Sequence, residues 1–171
     1  MKLSLKEKEE LEKLYQEFLN NELILKMKSI PMHRGSNCYL HSFRVTKLAI
    51  KNAIKHKHPN LKNILIASIL HDYYLYDWRV ERDKKKGHTS KHPQIAIENA
   101  RRDFDIEQEV ASIIGSHMWP FNFRTYPKTK EARIVGLADT LIATKEAFTS
   151  IAYKRKRLDR YYKQIERLFD E

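Results

Sequence analysis

The sequence predicts an all-α fold, one domain of packed helices, and three observations carry that expectation. Four Gly and five Pro in 171 residues are too few turn formers for a chain of many short strands. Hydrophobic residues make up 42%, enough for a chain of this length to bury a core without disulfides. Apolar residues also recur three and four positions apart along most of the chain, the period of a helix with one buried face.

Ser4 and Glu7 form a capping box, after which Leu11, Leu14, Phe18, Leu19 and Ile24 continue one amphipathic helix up to the break at 31–35. A second helix is expected from Ser36 or Asn37 to about Lys57, with Leu40, Val45, Leu48, Ala49 and Ile54 inward and His58-Pro59-Asn60 as its stop. Leu61–Leu70 is apolar on nearly every face, which predicts a helix through the centre of the core ending at His71-Asp72. A polar loop closes at Gly87, and Pro93 reads as the first position of a short helix to about Asp103, with His92 at its mouth. Asp105 and Gln108 suggest the cap of a helix that buries Val110, Ile113 and Ile114 and carries His117 at its end. Pro120 and Pro127 bound an aromatic loop. From Thr129 a long helix is expected to bury Ala132, Val135, Ala138 and Ile142, and Asp139 falls on the same stripe. Residues 154–171 read as a basic amphipathic tail helix.

The formal net charge of +11 concentrates in the runs 51–62, 82–91 and 154–163. Such runs read as solvated faces, and the same field would draw nucleic acid, an anionic membrane surface or small anionic substrates. No stretch approaches the ~20 apolar residues of a membrane span, so no membrane partner is expected. The N-terminus is too charged for a signal peptide, and Cys38, the single cysteine, leaves no internal disulfide to form. A cytoplasmic protein is expected.

An aspartate on the core face of a helix must find a cation or lose its charge. Asp139 poses that problem, and His71-Asp72 poses it again at the end of the most apolar helix. His41, His92 and His117 each fall near a helix end, where side chains from several helices can converge. Together His41, His71, Asp72, His92, His117 and Asp139 would build a cage for two divalent metal ions. Neutral imidazoles suit Mn, Fe, Co, Ni and Zn, and a carboxylate such as Asp72 can bridge two ions. Ions ~3.5–4 Å apart can share a hydroxide that attacks phosphorus, and a set of this size leaves coordination positions open.

The order His, His-Asp, His, His, Asp, on helices and at these separations, resembles the HD-domain superfamily of metal-dependent phosphohydrolases. The resemblance covers about residues 33–150, leaving an N-terminal helix and the basic C-terminal helix outside it. Its most specific pieces are CYLHSFRV, IASILHDYYLYDWR, KHPQIAIENA, IIGSHMWP and GLADTL, and they are most similar to small bacterial HD-domain proteins. The resemblance implies a helical bundle with a two-metal site at its centre. One ion would be held by His41, His71, Asp72 and Asp139, the second by Asp72, His92 and His117. The activity it implies is hydrolysis of a nucleotide or another small phosphate ester or anhydride by a metal-bridging hydroxide. Cyclic-dinucleotide phosphodiesterases of the superfamily usually carry a lysine shortly after His-Asp and often a further histidine after the fourth. Tyr73-Tyr74-Leu75 and Met118 stand there in this chain, which argues against that substrate.

A phosphate clamp is expected from Arg44, one helical turn after His41, or from Lys128, in the loop after His117. Arg44 could equally pair with a carboxylate at the core edge, and Arg79 is a further candidate. His33 and His88 flank ligand-bearing helices and could act as proton donors, as supports for the ligands, or not at all. His56 and His58 are expected in solvent. Trp78, Trp119 and Tyr76 could stack a base or simply pack. Two other functions fit the same scaffold, nucleic-acid binding through the basic tail and a diiron oxygenase.

Overall fold

Ser4 accepts a hydrogen bond from the Glu7 amide while the Glu7 carboxylate takes the Ser4 N–H at 2.8 Å, and this capping box starts helix α1, Leu5–Leu19. The structure, a computed structural model, describes residues 3–32, 36–57, 60–81, 86–148 and 154–169, with side chains in the last stretch from 158 onward. His33, His58 and the side chains of Lys154, Arg155, Lys156 and Arg157 lie outside the described residues. Apart from a lone antiparallel bridge between Pro31 and Asn37, every regular element among the described residues is helical.

The first helix stops earlier than its apolar spacing suggests. Asn20 ends α1, and the Asn21 side chain accepts from the amides of Leu23 (2.9 Å) and Ile24 (3.3 Å) to start α2, Glu22–Leu25, followed by a 3-10 turn, Lys26–Ser29. Asn37 caps α3, Cys38–Lys55, through the Leu40 amide at 2.9 Å. Helix α4, Leu61–Leu70, is the buried centre, with Ile64, Leu65, Ile69 and Leu70 fully enclosed. It packs on α3 and on the later helices that carry the site.

Two boundaries correct the sequence reading. Helix α5 is His88–Phe104 and starts from Gly87, in the left-handed region at φ 80°, whose carbonyl accepts the amides of Ser90 and Lys91. Pro93 therefore sits inside the helix, in its second turn. Helix α6, Gln108–Ser116, is preceded by Glu107 with no side-chain cap. Asp105 instead ends α5 in the left-handed region, and Gln108 accepts from Arg101 Nη2 at 2.5 Å. Helix α7, Lys130–Ala147, starts at Thr129, whose hydroxyl accepts the Ala132 amide at 3.2 Å. Between α6 and α7 the aromatic loop exposes Trp119, Phe121, Phe123 and Tyr126.

The basic tail is part of the bundle. Helix α8, Lys154–Ile165, and the residues after it bury Tyr161, Ile165 and Leu168, the two aliphatic side chains contributing about 1.5–3 kcal/mol each. Tyr15 Oη donates to the Ile165 carbonyl (2.8 Å), Asn37 Nδ2 to Tyr162 Oη (3.1 Å), and the Glu12 carboxylate accepts the Leu168 and Phe169 amides at 3.1 and 3.2 Å. Near the start of α3, Cys38 Sγ lies fully buried and donates to Tyr74 Oη at 3.1 Å.

Candidate metal centre

Five helices bring the six expected residues together. His41 comes from the first turns of α3, His71-Asp72 from the end of α4, His92 from α5, His117 from the C-cap of α6 and Asp139 from the middle of α7. All four histidines are buried, Asp72 is 5% exposed, and the Asp139 side chain 14%. Their ligand atoms fall into two groups, His41, His71 and Asp139 on one side and Asp72, His92 and His117 on the other, each within 4.8 Å. Asp72 lies between them. Its Oδ2 is 3.3 Å from His71 Nε2 and 3.8 Å from His41 Nε2, and its Oδ1 is 3.3 Å from His92 Nε2 and 3.9 Å from His117 Nε2.

Every imidazole presents Nε2 to the centre because Nδ1 is engaged elsewhere. His71 Nδ1 meets the Ser68 carbonyl (2.8 Å), His92 Nδ1 the His88 carbonyl (3.0 Å), His117 Nδ1 the Ile114 carbonyl (2.7 Å) and His41 Nδ1 the Glu146 carboxylate (3.0 Å). A carbonyl only accepts, so on His71, His92 and His117 a proton sits on Nδ1 and Nε2 is the nitrogen turned to the centre, the one a metal ligand offers. His71 Nε2 is buried without a hydrogen-bonding partner. His92 Nε2 and His117 Nε2 face each other at 2.9 Å, and in their neutral forms neither has a proton to give the other. These donors are of the kind that could hold divalent metal ions.

The charges point the same way. Burial pushes the Asp72 carboxyl up, yet His71 and then His92 hold it well below the usual carboxylate range. Asp139 is likewise held low, by His41 and His71 against the effect of burial. Burial pushes His41 down, but the Asp139 and Glu146 carboxylates outweigh it and lift it to about 9. His117 lies deep and next to His92 and His71, which lowers it to about 4 and keeps it neutral at physiological pH. Buried carboxylates thus draw positive charge into a site whose own cations are only imidazoliums.

A cavity of about 340 Å³ opens over Asp72, His92, His117 and Asp139. Met32, Trp78, Met118 and Phe121 give it apolar walls, and Arg79 supplies a cation. Arg79 also donates to the carbonyls of Pro31 (2.7 Å) and Met32 (2.5 Å). Neither expected clamp lines this cavity. Arg44 has the other partner its position allowed, a buried ion pair with Glu146, and its guanidinium lies 3.9 Å from the Tyr161 ring centroid. Lys128 is exposed just before α7, outside the cavity wall.

His88 does face the cavity, half-buried between Trp78 and His92, with Nδ1 2.9 Å from Tyr76 Oη. Burial and the neighbouring His92 lower it to about 4, so it is neutral at pH 7. Tyr76 is buried, Trp119 packs edge-on against Tyr126 away from the cavity, and His56 is in solvent at the end of α3. Glu146, 2% exposed and 3.0 Å from His41 Nδ1, is the residue beside the centre that the sequence reading passes over. It lies on the same stripe of α7 as Ile142, where Asp139 drew attention for the same reason.

Fold and site together define an all-α protein built around a paired His/Asp centre able to hold divalent cations. The chain belongs to the HD domain family, whose model matches residues 38–144, a span that contains all six residues. HD domains bind divalent metals and are those of a superfamily of metal-dependent phosphohydrolases. No curated protein and no solved structure matches the chain. Among the described residues no helix is long and apolar enough to cross a membrane.

Proposed function

We propose that the protein is a metal-dependent phosphohydrolase that uses two divalent ions and acts on a nucleotide or another small phosphate ester or anhydride. The observation that carries this reading is Asp72, with one oxygen turned to each group of ligands beneath a cavity large enough for a small molecule. The chemistry such ions supply is activation of water near neutral pH and neutralisation of charge on phosphoryl oxygens. The histidines hold their Nε2 atoms in place before any substrate arrives, so little reorganisation remains for the reaction itself.

Arg79 takes the role of phosphate clamp, since two of its five N–H groups hold the Pro31 and Met32 carbonyls and the rest remain for a phosphoryl oxygen. Trp78 and Phe121 give the cavity apolar lining suited to the organic part of the substrate. A volume of about 340 Å³ is at the small end of ligand sites, ~300–1,000 Å³, and favours one nucleotide over a longer strand.

The test is phosphate release from nucleoside mono-, di- and triphosphates and simple aryl phosphates by protein reconstituted with Mn, Fe, Co, Ni or Zn. Turnover by wild type that disappears in Asp72→Ala supports the reading. A protein that holds two ions and releases no phosphate from any of these refutes it.

A further inference from the structure

Three of the four inward-facing imidazoles are aimed by their own helix. The carbonyls of Ser68, His88 and Ile114 lie only three or four residues before the histidine each one orients. That aim is set as soon as the helix forms. His41 differs, because its Nδ1 is held by a side chain 105 residues away on another helix. The Glu146 carboxylate that does so is buried, and its second oxygen takes Arg44 Nη1 and, at 3.3 Å, Ser36 Oγ. Arg44 in turn lies on the ring of Tyr161, which belongs to α8 and is itself buried. Helix α8 is seated independently by Tyr15 and Asn37.

We propose that Glu146 is a positioning residue for His41 and that α8, through Tyr161 and Arg44, holds Glu146 in place. Ion binding by His41, His71 and Asp139 therefore depends on the C-terminal helix, while ion binding by Asp72, His92 and His117 does not. The proposal rests on reading the two groups as metal sites. A carboxylate on the far nitrogen fixes the ring and raises the basicity of the ligand nitrogen, and losing such a partner typically costs 10- to 100-fold in metal affinity, as an order of magnitude. The buried Arg44–Glu146 pair makes the arrangement rigid, since removing either partner strands a charge.

Calorimetric titration of the metal-free protein with Co²⁺, with bound Co²⁺ counted after gel filtration, tests this. Wild type should take up two ions. In Glu146→Gln one uptake step should weaken by roughly 10- to 100-fold while the other stays unchanged. Tyr161→Leu should weaken the same step, and Tyr161→Phe, which keeps the ring under Arg44, should titrate like wild type. His92→Ala should weaken the opposite step and so identify the two. Circular dichroism confirms that each variant keeps its helices. An unaltered titration of Glu146→Gln, or equal weakening of both steps, overturns the positioning role. An unaltered Tyr161→Leu overturns the link to α8. Wild type that binds no Co²⁺ overturns the metal reading itself and the proposal with it.

Discussion

Replacing Gly136 by alanine probes how closely α6 and α7 must approach for the centre to form. A Cβ at Gly136 would lie 3.3 Å from the His117 carbonyl oxygen, 3.8 Å from its Cα and 4.0 Å from its carbonyl carbon. All three are main-chain atoms, so no side chain can swing aside, and the helices must part by a few tenths of an ångström. Alanine favours a helix interior over glycine by about 1 kcal/mol, and overpacking costs about 1–3 kcal/mol, so folding stability falls by about 0–2 kcal/mol. Metal binding suffers more directly. Asp139 sits one turn after Gly136, His117 is the residue being pushed, and ligand distances tolerate only about ±0.2 Å. If about 1.4 kcal/mol of strain is relieved by spreading these ligands, affinity falls about tenfold. Competition between the protein and a chelator for Mn²⁺, beside thermal midpoints with and without metal, measures both effects. Unchanged affinity with a raised midpoint would refute the reasoning, because the alanine would then have brought helix propensity without displacement.

Asp72→Ala should lose more metal than any other single ligand change, because Asp72 alone reaches Nε2 atoms of both groups; equal metal content in wild type and variant after Mn or Fe loading would remove its bridging role. Metal uptake should tighten with pH. His41 is raised to about 9 by Asp139 and Glu146 against burial, so below that pH an entering ion must displace its proton, and His71, held well above its ordinary value by Asp72 and Asp139 against burial, adds a second proton to displace. Apparent Mn²⁺ affinity measured between neutral pH and about 9 should rise by up to roughly tenfold per pH unit for each proton displaced, and a flat profile contradicts this. Arg79→Ala should lower kcat by on the order of 10²-fold with metal content intact, whereas Lys128→Ala should leave kcat near wild type. The opposite ranking would return the clamp to the loop before α7.

The helix order is legible in the sequence because Ser4, Asn37 and Thr129 are strong caps and α4 is apolar all round. The six candidate ligands are legible for a different reason, since each places a titratable group where a bundle buries its residues. The division of the first helix is not, because apolar spacing runs through Asn20 and Asn21 and only local capping decides. Pro93 misplaces the start of α5 because its preference for a first turn is statistical, whereas Gly87 can take the left-handed conformation from which the helix begins. Arg44 shows the limit of register. Spacing from His41 shows that both can share a helix face, but whether the guanidinium meets phosphate or carboxylate depends on Glu146, 102 residues away. Glu146 itself is recoverable, since the argument that singles out Asp139 applies two stripe positions further along α7, past Ile142.

Cys38 carries a consequence for how the bundle opens. Burial raises its thiol well above the ordinary value, the nearby Asp72 charge adds to this, and the sulfur has no exposed surface. The native chain therefore offers an alkylating reagent neither a thiolate nor an approach. Iodoacetamide can label it only in those moments when the start of α3 comes free, and with one thiol per chain every label records one such excursion. Labelling rate becomes a clock for local opening beside His41, and divalent ions that clasp α3 to α4 and α7 should slow it.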